Sequence, residues 1–501
     1  MTRVPARAFL LVLALTLSAC AGAEPAARES APADSASVAH APASRAVGTV
    51  TILARTTLLT PGDTVLLLAT PRDAGETALP GREVTWTSDS SRIATVSSVG
   101  LVTAVGAGTA TISAASEGIS ETVPITVRPR ASITVRLAPG DDIQARVDSH
   151  PPGTTFRLAA GVYRRQSVAP KDGMSFVGDS GATLDGEGAV PYAFRADTDP
   201  LPRNVTIRGL IIERYDPPVQ DGAIKLDGAS AGGWVIEGCE IRLNTTGGIR
   251  LGNRARVLRN RIHHNGQIGI LGGGDDILIE GNEIAYNNPR ARYDMYWEAG
   301  GTKFARTRDL VVRSNFVHHN HGPGLWTDID NVRTLYERNR VEDNAEAGIF
   351  HEISYSAVIR ENTARRNGTH AVPADGVTGA GILVSVSQHV EVYGNTVEDN
   401  RNGVVGIQAG DRGSGAYGAY ALRGLDVHDN TISMPRGVSG IATTGSAKLF
   451  DRATYTTRDN RFRANSYSLA TNSRPFTWLG ARRTEREWRA LGQDVTGEFR
   501  R

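Results

Sequence analysis

Hydrophobic and polar positions along this chain follow three successive patterns. Residues Ala8 to Leu17 form one apolar run. From Thr49 to Val127 the pattern breaks into short β-rich runs: "VTILA", "TVLLLAT", "EVTWTS", "IATVSS", "LVTAV", "TATISAA" and "TVPITV". Gly, Pro, Asp or Ser separates them. Seven such strands in a segment of this length predict a β-sandwich. Beyond residue 140 short β runs continue, now in register with a repeat.

The repeat is marked by asparagine. Asn260, Asn282, Asn315, Asn339, Asn362, Asn395 and Asn430 each sit in a context like "VLRNRI" or "LIEGNEI". For all but the last, a second Asn follows five residues later, at Asn265, Asn287, Asn320, Asn344, Asn367 and Asn400. Cys239 takes the leading place in an earlier copy, with Asn244 after it. Gly and an apolar residue come next, as in Gly248-Ile249, Gly324-Leu325 and Gly348-Ile349. Leading positions are 21, 22, 33, 24, 23, 33 and 35 apart, a basic period of 21–24 with insertions. Short β runs at this period, without helices between them, predict a parallel β-helix. Asn at a fixed place tolerates a left-handed turn and can form a hydrogen-bonded ladder along the axis. Cys239 in that column is expected to be a small buried residue.

Both ends of the solenoid are expected to be closed by helix. "DDIQARVDSHPPGTTFRLAAGVY" (141–163) reads as a short amphipathic helix leading into the first coil, and Thr484 with Glu487 has the spacing of a capping box before "WRAL". Two family resemblances accompany these patterns. "VTWTSDSSRIATVSSVGLVTAVGAGTATISA" resembles the bacterial Ig-like group 2 family, with Trp86, "IATV", Gly100 and "GAGTATI" in family order. Residues from about 135 to 501 resemble the right-handed parallel β-helices of the pectate-lyase-like superfamily. The expected fold class is therefore all-β: an N-terminal Ig-like sandwich followed by a right-handed parallel β-helix with short capping helices. The expected divisions are 1–20, signal peptide; 21–46, Ala/Ser/Pro-rich tether; 47–129, Ig-like domain; 130–475, β-helix; and 476–501, capping segment.

Composition changes the picture in three places. Net charge is only +2 over 501 residues with no basic stripe, which argues against a nucleic-acid partner. Arg3 and Arg7 precede the first apolar run, and "LSAC" closes it at Cys20. This is the form of an export signal. It resembles the lipobox of bacterial lipoproteins, which implies lipidation of Cys20 and an exported protein anchored to a bacterial membrane. Cys239 then has no partner within the mature chain, so no internal disulfide is expected. No second stretch is long and apolar enough to cross a membrane.

The chemistry is suggested by two copies of one pattern. "GLWTDIDN" begins at Gly324 and "GIFHEISY" at Gly348, and each places an acid four residues after its Gly: Asp328 and Glu352. Strand alternation turns Leu325 and Ile349 inward and Trp326, Phe350, Asp328 and Glu352 outward. Adjacent coils stack at ~4.8 Å, so the carboxylates are expected to lie roughly 5 Å apart, near the ~5–5.5 Å of a retaining glycosidase. Such proximity raises the pKa of one acid, which can then donate a proton.

An insertion one coil earlier, "NPRARYDMYWEAGGTKFARTR" (288–308), brings Tyr293, Tyr296, Trp297, Glu298 and Lys303. Lys303 is one of four lysines against 51 arginines, a hint that a compact ammonium is wanted there. Trp297 and Trp326 could form a platform for a sugar ring. His318, His319 and His321 fall in a turn where convergence on a metal is not expected, and His351 points inward; no metal is assigned.

The order Lys303, Asp328, Glu352, with Trp297-Glu298 upstream, resembles β-helix glycoside hydrolases of the β-xylosidase type. That resemblance implies Asp328 as nucleophile, Glu352 as acid/base, and Lys303 and Glu298 on sugar hydroxyls. The leading expectation is a retaining hydrolase of polysaccharide or oligosaccharide without a cofactor. The second is a polysaccharide lyase or uronate epimerase, with Lys303 as base and Ca²⁺ held by Asp328, Asp330 and Glu352. The third is a non-catalytic carbohydrate-binding or adhesion solenoid.

Overall fold

The computed structural model describes residues 46–79, 82–128, 133–196, 201–226, 232–370, 377–410, 412–444 and 452–501. The expected signal peptide, Cys20 and nearly all of the tether lie outside the described residues. Among the described residues no helix is long and apolar enough to cross a membrane.

Residues 46–127 form a small β-sandwich with its own core of Val65, Leu67, Val102, Ile112 and Ile125, against which Trp86 packs. Nine strands build it where the pattern suggested seven. The difference lies in "TVLLLATPR", which divides into Thr64–Leu66 and Leu68–Arg72, and in the added two-residue strand Leu58–Leu59. The two halves of the divided run pair with different neighbours, Leu101–Ala104 and Thr49–Leu53. Gly100 has φ +83 and faces the Trp86 ring so closely that a Cβ would lie 2.9 Å from it. Only glycine meets both conditions.

From Thr134 onward the chain winds into a parallel β-helix with three faces. One pairs Gly222–Lys225, Gly247–Leu251, Leu325–Asp328, Ile349–Glu352 and Ala380–Ser385 among its rungs. The second includes Val235–Glu237, Arg256–Leu258, Thr334–Glu337 and Tyr355–Arg360. The third includes Glu240–Arg242, Arg261–His263, Phe316–His318 and Arg340–Glu342. Ile268–Glu280 and Gly300–Arg313 run through the first two faces without a break, bent by a register shift between Gly272 and Gly274. One continuous core fills the interior, from Leu137 to Trp488.

Two asparagine ladders follow the axis, as the repeat implied. Asn260 donates to Asn282 through both its backbone N–H (2.9 Å) and its side-chain amide (3.0 Å), and the pattern continues through Asn315, Asn339, Asn362, Asn395 and Asn430. The second ladder runs from Asn244 to Asn400. The left-handed residue, however, is the one before each Asn: Arg259, Ser314, Arg338, Glu361 and Asp429 in the first ladder. Asn is therefore selected for its paired donor and acceptor, which satisfy buried backbone as well as the next Asn. Cys239 is buried at the head of the first ladder, where its backbone N–H donates to Asn260 (2.9 Å) and burial pushes its thiol up to about 11.

Helix Ile143–Asp148, capped by Asp142, lies at the N-terminal end. Helix Glu485–Ala490 closes the other, with Thr484 and Glu487 forming the complete capping box. Its Trp488 stacks on Phe476 at 4.6 Å and donates to Asp494, whose other oxygen receives Asn465 and so ends the first ladder. Stacking and capping together cover what would otherwise be an open sheet edge.

Candidate active site

Asp328 and Glu352 end two consecutive rungs of the first face. Gly324 and Gly348 open these rungs, where a Cβ would press to 2.7 and 2.6 Å from the next rung's backbone carbonyl. This close stacking fixes the register: Leu325 faces Ile349, Trp326 faces Phe350, Thr327 faces His351, and Asp328 faces Glu352. Leu325 and Ile349 enter the core, so both acids project outward, one strand spacing apart.

Lys303 reaches the pair from the preceding coil. Phe304 pairs with Thr327, which puts Lys303 opposite Trp326 rather than Asp328. Its ammonium extends sideways to lie 2.9 Å from Asp328 Oδ2, 3.9 Å from Glu298 Oε1 and 4.0 Å from the centre of the Trp326 ring. It also donates to the Trp297 carbonyl. Arg412, from a hairpin much later in the chain, approaches Glu352 Oε1 at 3.6 Å.

Burial, then the facing Asp328, pushes the Glu352 carboxyl up to about 7, against the opposing pull of Arg412 and Lys303. Glu298 is also held above the usual carboxylate range, mainly by burial. The Trp326 indole N–H favours the ionised Glu352 by proximity but is out of hydrogen-bond geometry. The site is not sealed: side-chain exposure is 11% for Asp328, 15% for Glu352 and 23% for Glu298.

Lys303, Asp328, Glu352 and Glu298 thus converge as expected, and Trp297 stands beside them, 68% exposed and free to meet a ligand. Two other assignments change. Trp326 is no sugar platform: it is 1% exposed, stacked on Phe350 at 5.4 Å, with Lys303 across its ring. Asp330 does not line the site. Ile329 and Asp330 are both left-handed, which turns the chain away, and Asp330 Oδ1 accepts from Tyr420 Oη (2.7 Å) and Ala416 N (3.0 Å). The three-acid Ca²⁺ cage of the lyase reading is therefore not formed, since one acid is committed elsewhere and cations already face the other two.

Tyr420 and Arg412 were not singled out in the sequence. Their signal was the long interval between Asn395 and Asn430, which contains "DRGSGAYGAY". Its strands Ser414–Gly415 and Gly418–Ala419 make the hairpin that Asp330 and Tyr355 hold down.

His351 is buried as expected, bonded to Thr327 at 2.7 Å, and burial lowers it to about 4. His318 and His319 contact each other and a stacked aromatic row, and His318 Nε2 lies 3.3 Å from Glu283 Oε1; among the described residues no third metal-ligating group joins them. Glu391, Asp426 and His428 come close enough to suit a cation. Arg461 and Arg463 already ion-pair with Asp426, so that group is better explained as a charge network.

Two surface concavities, of about 740 and 550 Å³, lie elsewhere, along the turn of the second asparagine ladder. Neither is lined by Asp328 or Glu352.

Comparison with known proteins agrees with this architecture. Residues 222–397 match the right handed beta helix region, and residues 46–127 match the bacterial Ig-like domain (group 2). The chain thus carries an Ig-like segment at 46–127 and a right-handed β-helix segment at 222–397. Among solved structures, XylC in complex with xylose is similar at TM-score 0.53 and 13% identity, over 74% of this chain and 86% of that one. A mannuronic acid specific polysaccharide family 6 lyase from human gut microbiota gives 0.49 and 13%, over 68% and 88%. The A-module of an Azotobacter vinelandii mannuronan C-5 epimerase gives 0.45 and 17%, over 68% and 91%. No curated protein matches.

Proposed function

We propose that this chain is a carbohydrate-active enzyme, a retaining glycoside hydrolase acting on polysaccharide or oligosaccharide. The observation that carries the reading is the direct pairing of Asp328 with Glu352, whose carboxyl burial and the facing Asp328 push up to about 7. Rungs stacked at ~4.8 Å favour the short carboxyl separation of a retaining pair, ~5–5.5 Å, over the ~6.5–9.5 Å of an inverting one. Glu352 donates its proton to the glycosidic oxygen as Asp328 attacks the anomeric carbon and the glycosidic bond breaks. Glu352, now ionised, takes a proton from water, whose oxygen attacks the same carbon and releases Asp328. Lys303 orients Asp328 and balances its charge. Glu298 and the exposed Trp297 lie where sugar hydroxyls and a ring face would meet them.

The lyase or epimerase reading is less well supported, because Lys303 is directed at Asp328 and the Trp297 carbonyl rather than free to take a proton. A screen of aryl glycosides, followed by trapping with a 2-deoxy-2-fluoro glycoside and mass spectrometry, tests the proposal. A covalent label on Asp328 supports it. Unsaturated, ultraviolet-absorbing products without a label would overturn it, as would binding without turnover. We further infer lipid anchoring through Cys20, for which the "LSAC" segment is the support. Cys20→Ala should then move the protein from the membrane to the soluble fraction.

A further inference from the structure

The turn of the second asparagine ladder carries a row of outward side chains. His264, Tyr286, His319, Asp343 and Arg366 each precede a ladder Asn, and each is left-handed with φ between 53 and 56°. Identical backbone geometry on successive coils stacks these side chains at strand spacing. His264 lies on Tyr286 at 5.0 Å and 22°, and Tyr286 on His319 at 5.1 Å and 29°. The row forms one wall of the 550 Å³ concavity, which meets the 740 Å³ one at Asp343 and Thr369. Aromatic at one end, this trough becomes cationic at the other.

The cationic end is bordered by Arg366, Arg401, Arg436 and Arg482. Arg366 is bound to Asp343 through two hydrogen bonds, at 2.8 and 2.6 Å. The other three side chains have no hydrogen bond or ion pair among the described residues. Elsewhere on the outer wall arginines pair with acids one coil away, as Arg208 does with Glu237, Arg333 with Asp309 and Arg360 with Glu337. Asp399 is the other acid of the basin, so the balance there is positive. Guanidinium groups left unpaired around a concavity suit a planar or tetrahedral oxyanion, which they bind through paired donors.

We propose that this trough is a binding site for an acidic oligosaccharide, separate from the Lys303–Asp328–Glu352 cluster and independent of its chemistry. Sugar rings lie along the His264–Tyr286–His319 row, and carboxylate or sulfate groups enter the arginine basin. A saccharide is favoured over a free anion because the aromatic row supplies an apolar surface continuous with the charged one.

Isothermal titration of the full chain tests this with hexagalacturonate, a sulfated hexasaccharide, neutral xylohexaose and inorganic sulfate. At least one acidic hexasaccharide should bind, about tenfold or more tighter than xylohexaose and than sulfate. Combined Arg401→Gln and Arg436→Gln should weaken it at least about tenfold, the scale of one charge-assisted contact. Tyr286→Ala should weaken it severalfold, and Asp328→Asn should leave it unchanged. Thermal midpoints of the variants check that folding is retained. No binding of either acidic ligand, wild-type affinity in the double arginine variant, or sulfate binding as tightly as the saccharide would each overturn the proposal. Loss through Asp328→Asn would instead place the ligand at the acid pair.

Discussion

The Lys303 ammonium lies 2.9 Å from Asp328 Oδ2 while its centre sits 4.0 Å from the Trp326 ring. The lysine stem crosses from the column of Trp326 to that of Asp328, so one cation rests on an aromatic face and binds the neighbouring carboxylate. Lys303→Met keeps the stem and removes the charge. It leaves Asp328 and Glu352 facing each other with less compensation. Turnover should fall by at least about tenfold, the scale of a lost charged contact, and the alkaline limb of the pH profile should move to higher pH because Lys303 lowers Glu352. Steady-state kinetics across pH on an aryl glycoside measure both effects.

Glu352 is a carboxyl whose folded pKa is raised, from 4.5 to about 7. Its protonated, proton-donating form is therefore lost as pH rises through about 7, and the proposed glycosidase activity should decline on that side. Glu352→Gln should remove this limb and reduce turnover by roughly 10²–10⁴-fold, the usual weight of a general acid. Glycosides with good leaving groups should suffer less, since they need no proton. An unchanged pH profile in the Gln variant would assign the limb to another group.

Asp330 holds the hairpin that carries Arg412 toward Glu352, through Tyr420 and the amide of Ala416. Asp330→Ala should free that hairpin without unfolding the solenoid, whose core it does not enter. Limited proteolysis should then cut within 412–420 while the global thermal midpoint stays nearly constant. A shift of several degrees would show that the clamp stabilises the whole domain.

Asn344 accepts from Asn320 through backbone and side chain and donates to Val317, Glu342 and Asn367. Asn344→Ala strands several buried partners at once, each costing about 1–3 kcal/mol. Chemical denaturation should show a loss of at least about 3 kcal/mol. Cys239, by contrast, is fully covered with its thiol pushed up to about 11. A thiol reagent should leave it unmodified until the protein unfolds.

The all-β class, the parallel β-helix and both capping helices were legible in the chain because each rests on short-range rules; that the solenoid has three faces came from the strand pairing. An Asn recurring at each coil and a Thr484–Glu487 box report local hydrogen bonds that neighbouring residues complete. The same rules brought Asp328 and Glu352 together, since equal offsets from Gly324 and Gly348 on stacked rungs leave one register. The rest depends on segments distant in the chain. Alternation and register set Trp326 outward beside Phe350 but could not show that Lys303, from the insertion, lies over its ring. Nor could they show that a hairpin about 90 residues later takes the Asp330 carboxylate and delivers Arg412. Alternation fixes the side of a sheet a residue faces; the surroundings it meets there are set by insertions, whose folding carries no period.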